Sequence, residues 1–142
     1  MDVFPRAALA AARTERRSAS RRIDAEDADL GIDLHTQSRG GTYPAYVFVN
    51  TPAAKRLADM LRPDSIYIQA GLDGAVEDML NVNGIPAVTY ELGAPEVFDE
   101  AMIARALRGV RNVMIDRKML PGTPDLSDPE PFLGNLVTNV DS

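Results

Sequence analysis

The 142-residue chain contains no cysteine, no tryptophan and a single histidine, His35. Without cysteine it can form neither a disulfide nor a thiolate metal site, and a catalytic zinc site normally holds about three protein ligands, commonly including two histidines. The chain also lacks an apolar run of the ~18 residues that a membrane-spanning helix needs. Its first residues lack the layout of a secretory signal. We therefore expect a cytoplasmic protein with no membrane partner.

Basic residues are scarce beyond the amino-terminal region. Residues 1–22 hold six arginines against two acids, and the net formal charge of the whole chain is −6, so the remaining residues carry about −10. No basic patch with interleaved aromatic residues follows, and the segment Arg39-Gly40-Gly41 lacks the spacing of a nucleotide-binding fingerprint. We therefore expect no nucleic-acid partner.

Strand-like and helix-like segments alternate through the middle of the chain. Alternating or continuously apolar runs predict strands, and apolar residues at three- and four-residue intervals predict helices. The predicted strands are residues 28–35, 45–50, 65–69 and 85–93, and the predicted helices are residues 52–62, 75–81 and 98–120. Such an order predicts an α/β fold with a mixed, largely parallel sheet and flanking helices.

Composition divides the chain into three parts. Residues 1–24 form a basic arm without a steady apolar stripe, residues 25–120 carry the α/β pattern, and residues 121–142 are rich in proline and acids, which is typical of a linker. Within that linker, residues 135–142 regain a strand-like alternation and have no closing element.

Two polar side chains interrupt apolar strands near their carboxyl ends: His35, with Asp33 two residues earlier, and Glu91. Parallel neighbouring strands would bring them to one edge of the sheet, where open α/β folds build their sites. An imidazole is an ordinary zinc ligand and a carboxylate an ordinary general base, so the pair suits metal-assisted hydrolysis. The alternative is a structural histidine hydrogen-bonded to Asp33 or a backbone carbonyl, with Glu91 paired to an arginine. Composition alone favours that alternative.

The same two strand ends carry a family resemblance. Residues 32–36 (Ile-Asp-Leu-His-Thr), followed about fifty residues later by residues 84–93 (Gly-Ile-Pro-Ala-Val-Thr-Tyr-Glu-Leu-Gly), resemble the succinylglutamate desuccinylase/aspartoacylase family, relatives of zinc carboxypeptidases. The resemblance covers roughly residues 27–120. It implies an incomplete zinc carboxypeptidase-like catalytic core in which His35 is one of three zinc ligands and Glu91 is the general base.

Two further residues receive roles beside this pair. Asp33 is a candidate acceptor that orients the His35 ring, because ligating imidazoles usually donate their other N–H to a carboxylate or a carbonyl. Arg39 is a candidate anchor for an acidic group of the substrate. The alternative for Arg39 is a solvated loop arginine.

The chain departs from the family pattern at its amino-terminal side. The family's Gly-x-His-Gly-x-Glu loop, which supplies the other two zinc ligands, has no counterpart, and Met1-Asp2 stands where the family has Asn-Arg. We therefore expect an interior piece of a longer enzyme, with residues 25–120 as a partial catalytic domain and residues 121–142 leading towards a missing β-rich domain.

The resemblance implies zinc-dependent hydrolysis of an N-acyl amide bond in a small N-acylated amino acid or a related compound. One zinc ion is expected per complete catalytic domain, and this chain alone is expected to be inactive. The alternative is a non-catalytic α/β remnant or a binding module. The sequence specifies neither the acyl group and amine of the substrate nor the oligomeric state.

Overall fold

The computed structural model describes residues 28–71 and 74–135. The predicted basic arm, residues 1–24, lies outside these ranges. Within them the elements are, in chain order, β1 (Gly31–His35), β2 (Ala45–Val49), α1 (Pro52–Leu61), β3 (Ser65–Ile68), α2 (Val76–Val82), β4 (Ala87–Leu92), α3 (Glu100–Asp116) and β5 (Phe132–Asn135). The predicted alternation of strands and helices is therefore observed.

Capping residues set the ends of the two longer helices. The Thr51 side chain accepts a hydrogen bond from the backbone N–H of Ala54, and α1 begins with a proline. Arg62, directly after the last residue of α1, has a left-handed backbone. Helix α3 is shorter than predicted, because Asp99 caps its start and Lys118, with φ of 59°, turns the chain after its end.

The five strands form one sheet in the order β1-β4-β2-β3-β5. Three neighbouring pairs are parallel, and only the β2–β4 pair is antiparallel. The predicted mixed, largely parallel sheet is therefore confirmed. In consequence, the carboxyl ends of β1 and β4 lie at the same edge of the sheet as the amino end of β2.

The two faces of the sheet are covered differently. Helices α1 and α3 cover one face, where the side chains of Ile32, Val88 and Tyr90 belong to the buried core. Helix α2 lies on the opposite face, since a Cβ on Gly31 would come within 2.6 Å of the Leu80 side chain. Because side chains alternate along a strand, the face of Gly31 is also the face of Asp33 and His35.

The carboxyl-terminal part of the described chain packs against α3. The Asn112 side chain exchanges hydrogen bonds with the backbone of Asp125, and Arg108 forms an ion pair with Asp128 at 3.0 Å. These contacts lead into β5, which pairs in parallel with β3. The first part of the segment that we interpreted as a linker thus supplies an edge strand. The strand-like residues 136–142 lie outside the described residues.

No helix in the described ranges is long and apolar enough to cross a bilayer.

Candidate functional site

The structure places His35 and Glu91 side by side at one edge of the sheet. Strands β1 and β4 are parallel neighbours, and His35 is the register partner of Glu91 at their carboxyl ends. Packing of α2 holds this arrangement, because Gly31 leaves room for Leu80 against β1 and β4. The register of β1 and β4, which starts at Gly31 and Ala87, therefore sets His35 beside Glu91.

The His35 ring is held between two carboxylates. Its Nε2 atom lies 2.9 Å from Oδ2 of Asp33, and its Nδ1 atom lies 3.7 Å from Oε1 of Glu91. The first distance is a close polar contact, whereas the second is longer than a hydrogen bond. Because Nε2 faces Asp33, the Nδ1 atom faces the Glu91 side of the site.

The two carboxylates are buried beside a more exposed imidazole. The side chains of Asp33 and Glu91 are 11% and 14% exposed, against 44% for His35. Oδ1 of Asp33 and Oε2 of Glu91 are buried without a hydrogen-bond partner among the described residues. Buried polar atoms normally have partners, so these two oxygens are available to a further polar group at this site.

Burial raises the pKa of the Glu91 carboxyl above its ordinary value. The nearby His35 opposes this shift, and the negative charges of Asp33 and Glu77 add to it. A carboxylate with a raised pKa is a stronger base, which suits proton transfer near neutral pH.

Two residues that the sequence analysis did not select, Gln37 and Tyr46, adjoin Glu91. Tyr46 in β2 is the antiparallel register partner of Glu91, so both side chains project from the same face. The side-chain amide of Gln37 donates a hydrogen bond to the Tyr46 hydroxyl, and the Gln37 backbone N–H donates to the carbonyl of Gly93. Burial, followed by the charge of Glu91, raises the pKa of Tyr46, while the hydrogen bond from Gln37 opposes the shift.

The sequence indicates which face of β2 carries Tyr46, but not which strand lies beside it. Tyr46 alternates with the buried residues Ala45 and Val47, which places it on the face opposite the core. The antiparallel pairing that sets it beside Glu91 has no counterpart in the local pattern of β2.

Arg39 is exposed in the loop after β1 and forms no hydrogen bond or ion pair with the described residues. Its role in substrate binding stays a prediction.

Residues 4–116 match the family model of the succinylglutamate desuccinylase/aspartoacylase catalytic domain. The chain belongs to this family. The resemblance carried by the two strand-end motifs is thereby confirmed. A comparison with curated proteins found no match.

Solved structures of the succinylglutamate desuccinylase/aspartoacylase family share the fold. The apo ectoine utilization protein EutE (DoeB) from Ruegeria pomeroyi has 22% identity and a TM-score of 0.69, with 83% of this chain and 40% of that chain covered. A succinylglutamate desuccinylase from Silicibacter sp. TM1040 has 21% identity and a TM-score of 0.67, with 84% and 38% covered. A succinylglutamate desuccinylase/aspartoacylase from Rhodobacter sphaeroides has 16% identity and a TM-score of 0.66, with 83% and 38% covered. The present chain thus spans about two fifths of the length of these relatives.

The described residues supply only part of a site for the zinc ion that the family resemblance implies. His35 fits a ligand, because Asp33 holds one ring nitrogen and leaves the other available. However, within residues 28–71 and 74–135 no three histidine, aspartate or glutamate side chains are grouped so as to hold a metal. The described residues alone therefore do not make up the donor set of a catalytic zinc site.

Proposed function

We propose that this chain carries part of the catalytic centre of a zinc-dependent hydrolase that cleaves the N-acyl amide bond of a small N-acylated amino acid or a related compound. The observation that carries the proposal is the His35–Asp33 pair beside the buried Glu91 carboxylate, at adjacent strand ends, in a chain of this family. The names of the similar structures, which include a succinylglutamate desuccinylase and an ectoine utilization protein, support a small substrate.

Each residue has a defined task in this proposal. His35 would hold the metal through Nδ1, and Asp33 would fix the ring through Nε2. The remaining ligands come from outside the described residues. A bound zinc ion supplies Lewis-acid activation of water and of the scissile carbonyl.

Glu91 moves the proton. Its carboxylate accepts a proton from the attacking water as the new C–O bond forms, and it returns that proton to the amide nitrogen as the C–N bond breaks. The products are a carboxylic acid and a free amine, so the carboxylate is regenerated. The unpartnered Oε2 atom is the oxygen best suited to this task, because no other described group competes for it.

The incomplete donor set within residues 28–71 and 74–135 favours a second candidate for the chain by itself. In that case the 142 residues form a non-catalytic α/β unit or a binding module, which keeps the family fold without turnover. The two candidates differ in whether supplying the missing ligands restores hydrolysis.

The test compares this chain with a form extended upstream through a Gly-x-His-Gly-x-Glu loop. Both are loaded with zinc and assayed for amine release from a panel of N-acetyl and N-succinyl amino acids. We expect turnover in the extended form only, and we expect Glu91→Gln to abolish most of it while Glu130→Gln, at an exposed position, leaves it unchanged. An extended form that binds zinc but hydrolyses no member of the panel would favour the non-catalytic candidate.

A further inference from the structure

The hydrogen bond between Gln37 and Tyr46 crosses the end of strand β4. Gln37 follows β1 and Tyr46 is the second residue of β2, and β4 lies between these two strands in the sheet. The bond from the Gln37 backbone to Gly93 places the crossing just beyond Glu91. The Tyr46 hydroxyl is therefore held over the carboxyl end of β4, at the site that contains His35 and Glu91.

The direction of this hydrogen bond determines what the Tyr46 hydroxyl can do. The amide of Gln37 is the donor, so the phenol oxygen acts as the acceptor and its own O–H remains available. No side chain or carbonyl among the described residues accepts a hydrogen bond from it. Edge-to-face packing on Phe48 and on Tyr67, with ring centroids 5.3 Å and 5.9 Å away, restricts the ring. The result is a fixed donor close to Glu91.

We propose that Tyr46 contacts the substrate, donating a hydrogen bond from its hydroxyl to an oxygen atom of the bound N-acyl compound, and that Gln37 is the positioning residue that directs this donor. The inference rests on the proposed function for the identity of the ligand. This role accounts for the hydrogen bond between the Gln37 amide and the Tyr46 phenol across β4, the strand that carries Glu91. The acceptor is a carboxylate or a carbonyl oxygen, and an N-succinyl amino acid carries one carboxylate more than its N-acetyl counterpart.

Binding measurements on the metal-free 142-residue chain test this inference without requiring turnover. The probes are one N-acetyl and one N-succinyl amino acid, titrated into the ¹⁵N-labelled chain and followed by NMR. Tyr46→Phe removes only the hydroxyl, and Gln37→Glu replaces the donor by a carboxylate that accepts a hydrogen bond from the phenol and so turns the O–H away from the ligand. We expect each variant to weaken binding by about 3- to 10-fold, the loss of one hydrogen bond.

Tyr67→Phe is the matched control, because it removes a phenol hydroxyl from a ring that packs against Tyr46, whereas the hydrogen bond from the Gln37 amide goes to Tyr46. Its affinity should stay within about twofold of the native value. In the free protein, Tyr46→Phe should also shift the Gln37 side-chain amide resonance. A loss in both the N-acetyl and the N-succinyl arms identifies an oxygen that the two probes share, on the amide carbonyl or the α-carboxylate, and a loss in the N-succinyl arm alone identifies the additional carboxylate.

Unchanged affinity in Tyr46→Phe and Gln37→Glu, or an equal loss in Tyr67→Phe, would overturn the inference, as would a native chain that binds neither probe. A different result would contradict the proposed function, namely the absence of turnover in the zinc-loaded extended form.

Discussion

The Glu91 carboxylate should lower the stability of the folded chain at neutral pH, so Glu91→Gln should raise it. Oε2 of Glu91 is buried without a hydrogen-bond partner among the described residues, and burial raises the pKa of the group. Replacing the carboxylate by an amide of the same shape removes a desolvated charge. Catalytic groups often carry such a cost, because their surroundings are arranged for the reaction rather than for folding.

The expected gain is about 1 kcal/mol at pH 7, near the lower end of the penalty for a buried unsatisfied polar group. The gain is moderate because the glutamine amide must itself be accommodated in the same surroundings. For a domain of this size, about 1 kcal/mol corresponds to a rise in Tm of about 3–5 °C.

The sign of the pH dependence follows from the raised pKa. A carboxyl whose pKa is higher in the folded state favours folding while it is protonated, and this contribution is lost as the pH rises through the folded pKa. The advantage of Glu91→Gln should therefore be complete at neutral pH and should disappear as the pH falls below the ordinary value of 4.5.

Urea unfolding at pH 7 and pH 4 measures both effects, with Glu130→Gln as the control at an exposed position. The control should change the free energy of unfolding by less than about 0.5 kcal/mol at either pH. A destabilised Glu91→Gln chain, or a gain that is the same at both pH values, would refute the reasoning. Destabilisation would favour the structural alternative, in which Glu91 is paired and holds the fold together, whereas a pH-independent gain would show that the charge of Glu91 is not its cause.

Two further predictions concern helix packing and the metal. A Cβ on Gly109 of α3 would lie 2.6 Å from the backbone oxygen of Leu61, so Gly109→Ala should destabilise the chain by about 1–3 kcal/mol in urea unfolding, although alanine is the better helix former. Gly40→Ala, where nothing lies within 4 Å, is the control, and equal effects of the two would argue against close contact of α1 and α3. Asp33→Asn should lower the zinc affinity of the extended form by about 10- to 100-fold, measured by competition with a chelator, because Asp33 orients the His35 ring. Unchanged affinity would show that the ring is oriented without it.

Local patterns predicted the strands that carry the site but not their neighbours. The strands that end near His35 and Glu91 can be predicted from the sequence, because β1 alternates apolar and polar residues and β4 is largely apolar up to Glu91. That these strands are adjacent depends on packing between segments about fifty residues apart. The family resemblance, rather than periodicity, connected the two motifs.

The features that the sequence analysis missed depend on tertiary pairing. The position of Tyr46 beside Glu91 requires the antiparallel β2–β4 pair, whereas strands joined by helices predict parallel neighbours. Strand β5 contains four residues, follows Pro131 and includes Gly134, so its composition argues against a strand. Its pairing with β3 is supported from outside the strand by the contacts of Asp125 and Asp128 with α3.

Zinc content after dialysis tests the central claim most directly: that His35 is one ligand of a zinc centre whose other ligands lie outside the described residues. The 142-residue chain should retain far less than one zinc ion per chain. The form extended through the Gly-x-His-Gly-x-Glu loop should retain one, lose it in His35→Ala and keep it in Glu91→Gln. Tight, stoichiometric zinc in the 142-residue chain, or zinc that persists in the extended form of His35→Ala, would contradict the claim.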